Sequence, residues 1–83
     1  MYKIKVLPHA QKDLERIEGK IFNHLKKEII QLSGNPRPYG SLKLTNEEGY
    51  RIRVGKHRVL YRINDKAKEI FIYRVKHRKE AYR

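Results

Sequence analysis

The 83-residue chain has no cysteine and no tryptophan, only two serines (Ser33 and Ser41), and nine acidic residues against 21 lysines and arginines. Without thiols there are no disulfide staples and no thiolate metal site, and redox chemistry does not constrain the compartment. No apolar run approaches the length of a bilayer span and no signal peptide precedes the first apolar alternation, so a soluble cytoplasmic protein is expected. Both serines fall in connecting segments, which leaves a serine-based triad without support. His9, His24, His57 and His77 are scattered, the carboxylates are few, and no zincin, EF-hand, P-loop or dinucleotide spacing occurs. Paired acids of the kind that hydrolyse glycosides are absent from the most basic segments. No metal or other cofactor is expected.

What is abundant is positive charge. A net charge of +12 on so short a chain calls for a polyanionic partner: nucleic acid first, an acidic protein second, an anionic membrane third. The length allows one domain, residues 1–83, and a chain this small buries only about 60–65% of its unfolded surface.

Charge and periodicity coincide between Tyr50 and Ile63. Tyr50, Ile52 and Val54 alternate with Arg51 and Arg53, and Val59, Tyr61 and Ile63 alternate with Arg58, Leu60 and Arg62, the period of two of strands with one buried face. Gly55-Lys56 suits a two-residue turn with a positive φ at its first position. The implied register sets Val54 opposite His57, Arg53 opposite Arg58, Ile52 opposite Val59 and Tyr50 opposite Tyr61. Apolar residues then share one face, while Arg51, Arg53, Arg58 and Arg62 crowd the other around Leu60. Like charges opposed across strands cost about 0.2–1 kcal/mol per pair, so an anion is expected to compensate them.

Upstream, Tyr2, Ile4 and Val6 alternate as a strand. Pro8 suits a first helical turn, and Ala10, Leu14 and Ile17 extend a helix of about three turns. From Lys20 the helical period resumes with Ile21, Leu25, Ile29 and Leu32, and Ser33-Gly34 stops it. Leu42 and Leu44 mark a short strand or extended connector. After a turn at Asn64–Lys68, Glu69–Val75 is apolar on both faces, with Ile70 and Ile72 set against Phe71, Tyr73 and Val75, which fits an interior strand. The tail from Lys76 to Arg83 is basic and carries Tyr82. The expected fold is α+β: an N-terminal strand, an antiparallel helix pair, then three to four antiparallel strands, with the helices on one face of a single sheet and the basic face open.

Arginine, histidine and tyrosine can cleave RNA without metal. The 2′-hydroxyl attacks the adjacent phosphorus, so a site must take one proton, give another and neutralise the transition state. Guanidinium forks suit phosphate, an imidazole suits proton transfer, and a tyrosine can stack on an unpaired base.

Three segments, Gly49–Val54, His57–Ile63 and Arg74–Tyr82, taken in this order, resemble the RelE branch of the RelE/ParE toxin superfamily. The likeness extends over nearly the whole chain, including the Asn35-Pro36 turn. It implies a toxin of a toxin–antitoxin pair that cuts mRNA in the ribosomal A site, with an acidic antitoxin and the ribosome as partners. By position it implies phosphate binding for Arg58, transition-state stabilisation or acid catalysis for Arg78 and base stacking for Tyr82; Arg62 on the basic hairpin face and Lys79 in the basic tail are expected as further RNA contacts. Arg51 and Arg53 stand where the best-known members have two lysines, and a guanidinium with a pKa above about 12 is a poor general base. Arg53 therefore remains a catalytic candidate through charge, Arg51 an RNA contact, and His77 the candidate for proton transfer. Two other readings stay open: a ParE-like inhibitor of DNA gyrase, and a basic RNA- or ribosome-binding module without catalysis.

Overall fold

A computed structural model describes residues 1–45 and 48–77. Strand β1 (Lys3–Val6) is followed by helices α1 (Pro8–Glu15) and α2 (Gly19–Gln31), then by β2 (Leu42–Lys43), β3 (Tyr50–Val54), β4 (His57–Asn64) and β5 (Glu69–His77). The strands form one sheet in the order β1-β5-β4-β3-β2. β1 lies parallel to β5, with Ile4 opposite Ile70 and Val6 opposite Ile72. All other pairings are antiparallel. The expected layering is observed, with β5 interior to the sheet as its two apolar faces suggest.

Pro8 opens α1 and buried Ala10 seats it. The helix is shorter than its apolar spacing implies. It closes at Glu15, where the Arg16 N–H turns back to the Asp13 carbonyl and the Ile17 N–H to the Leu14 carbonyl, and Ile17 packs on the core from outside the helix. In α2, Leu25, Ile29 and the capping Leu32 face the sheet. They meet Ile52, Val54, Val59, Tyr61, Ile70, Ile72 and Val75 in one core. The other side of the helix pair leaves an apolar groove of about 790 Å³ against β1, bordered by Ile4, Leu14, Ile17, Phe22 and Ile30.

The β3–β4 hairpin has the expected register, from Tyr50 opposite Tyr61 to Val54 opposite His57. Gly55 alone in its turn takes a positive φ, +60°. Gly49, with φ +114°, has a second reason to lack a side chain: a Cβ there would collide with the Tyr61 carbonyl oxygen.

The β4–β5 ladder is interrupted. Tyr61 pairs with Ile72 but Leu60 pairs with Arg74, so Tyr73 is an extra residue on β5, a bulge. From that point the alternation of β5 inverts. Val75 returns to the face of Ile70 and Ile72 and is buried, while Tyr73 stays on the basic face beneath Arg62, whose guanidinium lies 5.5 Å from its ring centroid. Tyr73 is thus not a core tyrosine like Tyr61. Beyond Ile72, where β1 has ended, α1 supplies the missing edge partner. Asp13 Oδ2 accepts the Val75 N–H at 2.9 Å and Arg74 Nε at 2.8 Å.

The connector after α2 is latched to the opposite end of the sheet. Tyr61, its ring buried, donates its hydroxyl to the Pro36 carbonyl at 2.7 Å, and burial pushes that hydroxyl's pKa up to about 12. Arg37 donates through Nε to the Tyr50 hydroxyl at 3.1 Å and through Nη2 to Asp65 Oδ2 at 2.9 Å, and Tyr2 donates to Asp65 Oδ1 at 2.6 Å. Hydrogen bonds from Arg37 and then Tyr2 hold the Asp65 carboxyl down at about 2. A carboxylate depressed in the folded state contributes stability that is complete above its unfolded pKa, about 3.9, and is lost as pH falls through the folded value. In thermal melts across pH 5 to pH 2, wild type should therefore lose more stability than Asp65→Asn, the two converging at the acid end. Parallel curves would show that the latch does not bear on folding.

Candidate nucleic-acid interface

Side chains alternate across the sheet, so the pairings define what the face away from the helices displays. Its first cross-strand row runs Lys5, Phe71, Arg62. The second runs Arg74, Leu60, Arg51, Leu42, and the third Lys76, Arg58, Arg53. The third row sets three cations side by side without an acid between them. Among the described residues, the acids that reach this face meet its other rows: Glu69 Oε2 lies 2.6 Å from Lys5 Nζ, Asp13 Oδ2 lies 2.8 Å from Arg74 Nε, and Glu48 borders a depression with Arg62 and Phe71. Leu60, flanked by Arg51 and Arg74 in register, is only 6% exposed. Alkyl stems of long basic side chains commonly cover apolar residues in this way. Phosphate is the ligand suited to the third row: its oxygens accept from guanidinium forks and an ammonium together. A shallow depression at the hairpin tip, bordered by Arg53, Gly55, Lys56, His57 and Arg58, adjoins it.

Of the residues singled out from sequence, Arg51, Arg53, Arg58 and Arg62 share this face. His77 does not. The bulge carries it, with Val75, to the helix side of the sheet, where it stands opposite His57 with the two rings edge to face and 5.1 Å between centroids. His57 is half-buried in that contact. The residue that faces the arginines is Lys76, which lies directly across from Arg58. Strict alternation in β5 conceals it; only the bulge brings it round. Arg78, Lys79 and Tyr82 lie outside the described residues, as do Asn46 and Glu47. Among the described residues no cluster of three or more His, Asp or Glu could hold a metal ion, and no described helix is long and apolar enough to cross a membrane.

A family model described as "ParE toxin of type II toxin-antitoxin system, parDE" matches residues 4–82. The chain belongs to this family. It is a toxin of a type II toxin–antitoxin system within the RelE/ParE superfamily. Among solved structures it resembles the RelBE2 toxin–antitoxin complex from Mycobacterium tuberculosis at 30% identity and TM-score 0.81, over 93% of this chain and 98% of that one. It also resembles the archaeal RelE–RelB complex from Pyrococcus horikoshii at 28% identity and TM-score 0.79, over 93% and 94% of the two chains. The isolated RelE toxin of E. coli shares the fold at 23% identity and TM-score 0.80, over 99% of this chain and 92% of that one. No curated protein sequence matches the chain.

The alignment of Arg53 opposite Arg58 makes a prediction for this toxin. Arg53→Gln removes the cross-strand repulsion with Arg58 and should raise stability at low salt by about 0.2–1 kcal/mol. The gain should vanish near 1 M salt, where the screening length falls to about 3 Å. Urea melts at the two salt concentrations measure it, and a variant less stable than wild type at low salt would show that the row is not repulsive.

Proposed function

We propose that this toxin is a metal-independent endoribonuclease that cuts mRNA in the ribosomal A site and arrests translation. The observation that carries this reading is the third row, in which Arg53, Arg58 and Lys76 stand abreast on the sheet face away from the helices. In the proposed reaction the RNA 2′-oxygen bonds to phosphorus, the bond from phosphorus to the 5′-oxygen breaks, and a cyclic phosphate and a 5′-hydroxyl result. Arg53 and Arg58 hold the phosphate oxygens as charge builds on them. Lys76, reacting in its neutral amine form, takes the 2′-hydroxyl proton and becomes an ammonium, a role for which an amine is suited and a guanidinium is not. His77, on the far side of the sheet, packs against His57. Arg51 and Arg62 extend the phosphate track, Arg78 returns the proton to the leaving oxygen, and Tyr82 and Lys79 hold the flanking nucleotide.

A second reading rests on the family match itself, whose description names ParE: inhibition of DNA gyrase without RNA cleavage. The solved relatives from M. tuberculosis and P. horikoshii are complexes with antitoxins, and an antitoxin partner is proposed here as well. Complementarity to +12 makes it acidic, and the apolar groove of the helix pair offers it area beyond the charged face. The ribosome is the proposed partner of the active toxin, in the cytoplasm.

Mapping mRNA 5′ ends after brief expression separates these readings. Cuts within codons are expected, and on purified programmed ribosomes Lys76→Gln should slow cleavage about 10²–10⁴-fold with the fold retained by circular dichroism. Retained cleavage in Lys76→Gln together with its loss in His77→Ala would return the proton to His77. Intact mRNA with a DNA-damage response would replace the ribonuclease with the gyrase inhibitor.

A further inference from the structure

Around the edge of β3 from the arginine row lies a cleft of about 400 Å³ that the proposed reaction does not use, within the roughly 300–1,000 Å³ of small-ligand sites. Its floor is apolar, formed by Leu32, Ile52 and Val54, each under a tenth exposed. One wall is Tyr39, whose side chain projects wholly into solvent. Gln31 and Glu28 line the rim from α2.

The strand pairing supplies the remaining feature. A two-residue turn makes Val54 and His57 the pair that exchanges both backbone hydrogen bonds, and this role alternates along the hairpin. Ile52 therefore turns its N–H and C=O toward β4, and Arg51 and Arg53 turn theirs away from it. β2 covers Arg51, through Leu42, and ends there. The outward N–H and C=O of Arg53 are left at the cleft's margin, and no hydrogen bond to them occurs among the described residues. Arg53 thus places its guanidinium on the arginine face and an open donor–acceptor pair beside the cleft.

We infer that this cleft takes the nucleobase next to the phosphate held by Arg53 and Arg58, so that the RNA turns around the β3 edge; the inference rests on the proposed ribonuclease reading. An aromatic wall, an apolar floor and one adjacent donor–acceptor pair are what an unstacked base recognises, since each base has a π-face and a hydrogen-bonding edge. An added peptide strand is the poorer occupant. It gains from a run of outward backbone groups, and beyond β2 this edge presents those of Arg53 alone.

The test uses the full chain and a trinucleotide with a 2′-deoxy centre, which 2′-oxygen attack cannot cut. Expected are NMR shifts at the Arg53 amide and the Tyr39 ring, binding weakened about five- to a hundredfold in Tyr39→Ala, and near wild-type binding in Tyr39→Phe. Shifts confined to the arginine face with Tyr39→Ala binding as wild type would overturn the inference, as would perturbation of the cleft by an acidic extended peptide but not by the trinucleotide. Cleavage on programmed ribosomes judges the parent reading separately. A message left uncut by wild type refutes the ribonuclease, while the shifts still decide whether the cleft holds a base.

Discussion

Register in β5 is the constraint on which both faces of the sheet depend. Continued without interruption from the Tyr61–Ile72 pair, the ladder would set Leu60 against Tyr73, Val59 against Arg74, Arg58 against Val75 and His57 against Lys76. Arg74 would then enter the core, where an uncompensated guanidinium costs several kcal/mol, and Val75 would stand among the arginines. One extra residue at Tyr73 avoids this. Val75 is buried, Arg74 reaches Asp13 at the sheet edge, and Lys76 joins Arg58. Asp13 favours the shifted register directly, because its carboxylate accepts the Val75 N–H that no strand covers. The sequence element that sets the phase of the arginine face is therefore an acid on α1, distant in the chain.

This accounts for what could and could not be read from the chain alone. The hairpin was legible to the residue, because strict alternation on both sides of Gly55 permits only one register that keeps Ile52, Val54, Val59 and Tyr61 together. The helix pair was legible from its apolar stripes, though α1 ends early because Ile17 serves the core from outside the helix. β5 was legible as interior but not in phase. Its residues are apolar on both faces, so alternation had no contrast to work on, and the bulge is specified by a contact with Asp13. That one-residue error exchanged Lys76 for His77 in the candidate site. The Arg37–Asp65–Tyr2 latch was invisible for a similar reason: it joins residues from three connections and strands that only the folded sheet brings together.

A sheet that opposes arginine to arginine is stable only if the rest of the molecule supplies the difference. Here the contribution comes from the other face and the two ends. The core face is apolar along β3, β4 and β5, the Asp13 contact holds α1 to the β5 edge, and the tyrosine–arginine–aspartate latch ties the connector after α2 to the start of the hairpin. None of these groups stands in the third row. Stability and charge are thus separated by layer, and Arg53 or Arg58 can be exchanged without disturbing a core contact. This arrangement suits a protein whose binding face is silenced by a partner and engaged by an anion at different times, since neither event needs to repack the core.

The shortness of β2 acquires a meaning in the same terms. A longer β2 would pair Arg53, remove an exposed edge and add ladder hydrogen bonds, which is the usual way to blunt a sheet margin. Instead the chain from Asn35 to Gly40 swings away, held by the Tyr61–Pro36 and Arg37–Tyr50 bonds, and brings Tyr39 beside the bare edge with its ring in solvent. Burial or deletion of that ring would favour stability, as would pairing of that edge. The occupant inferred for this space, a planar base with a polar edge, would use both, so the latch that keeps the connector off β3 is also what keeps the cleft available. The residues that shape this end of the molecule thereby connect the phosphate row to the recognition of a base.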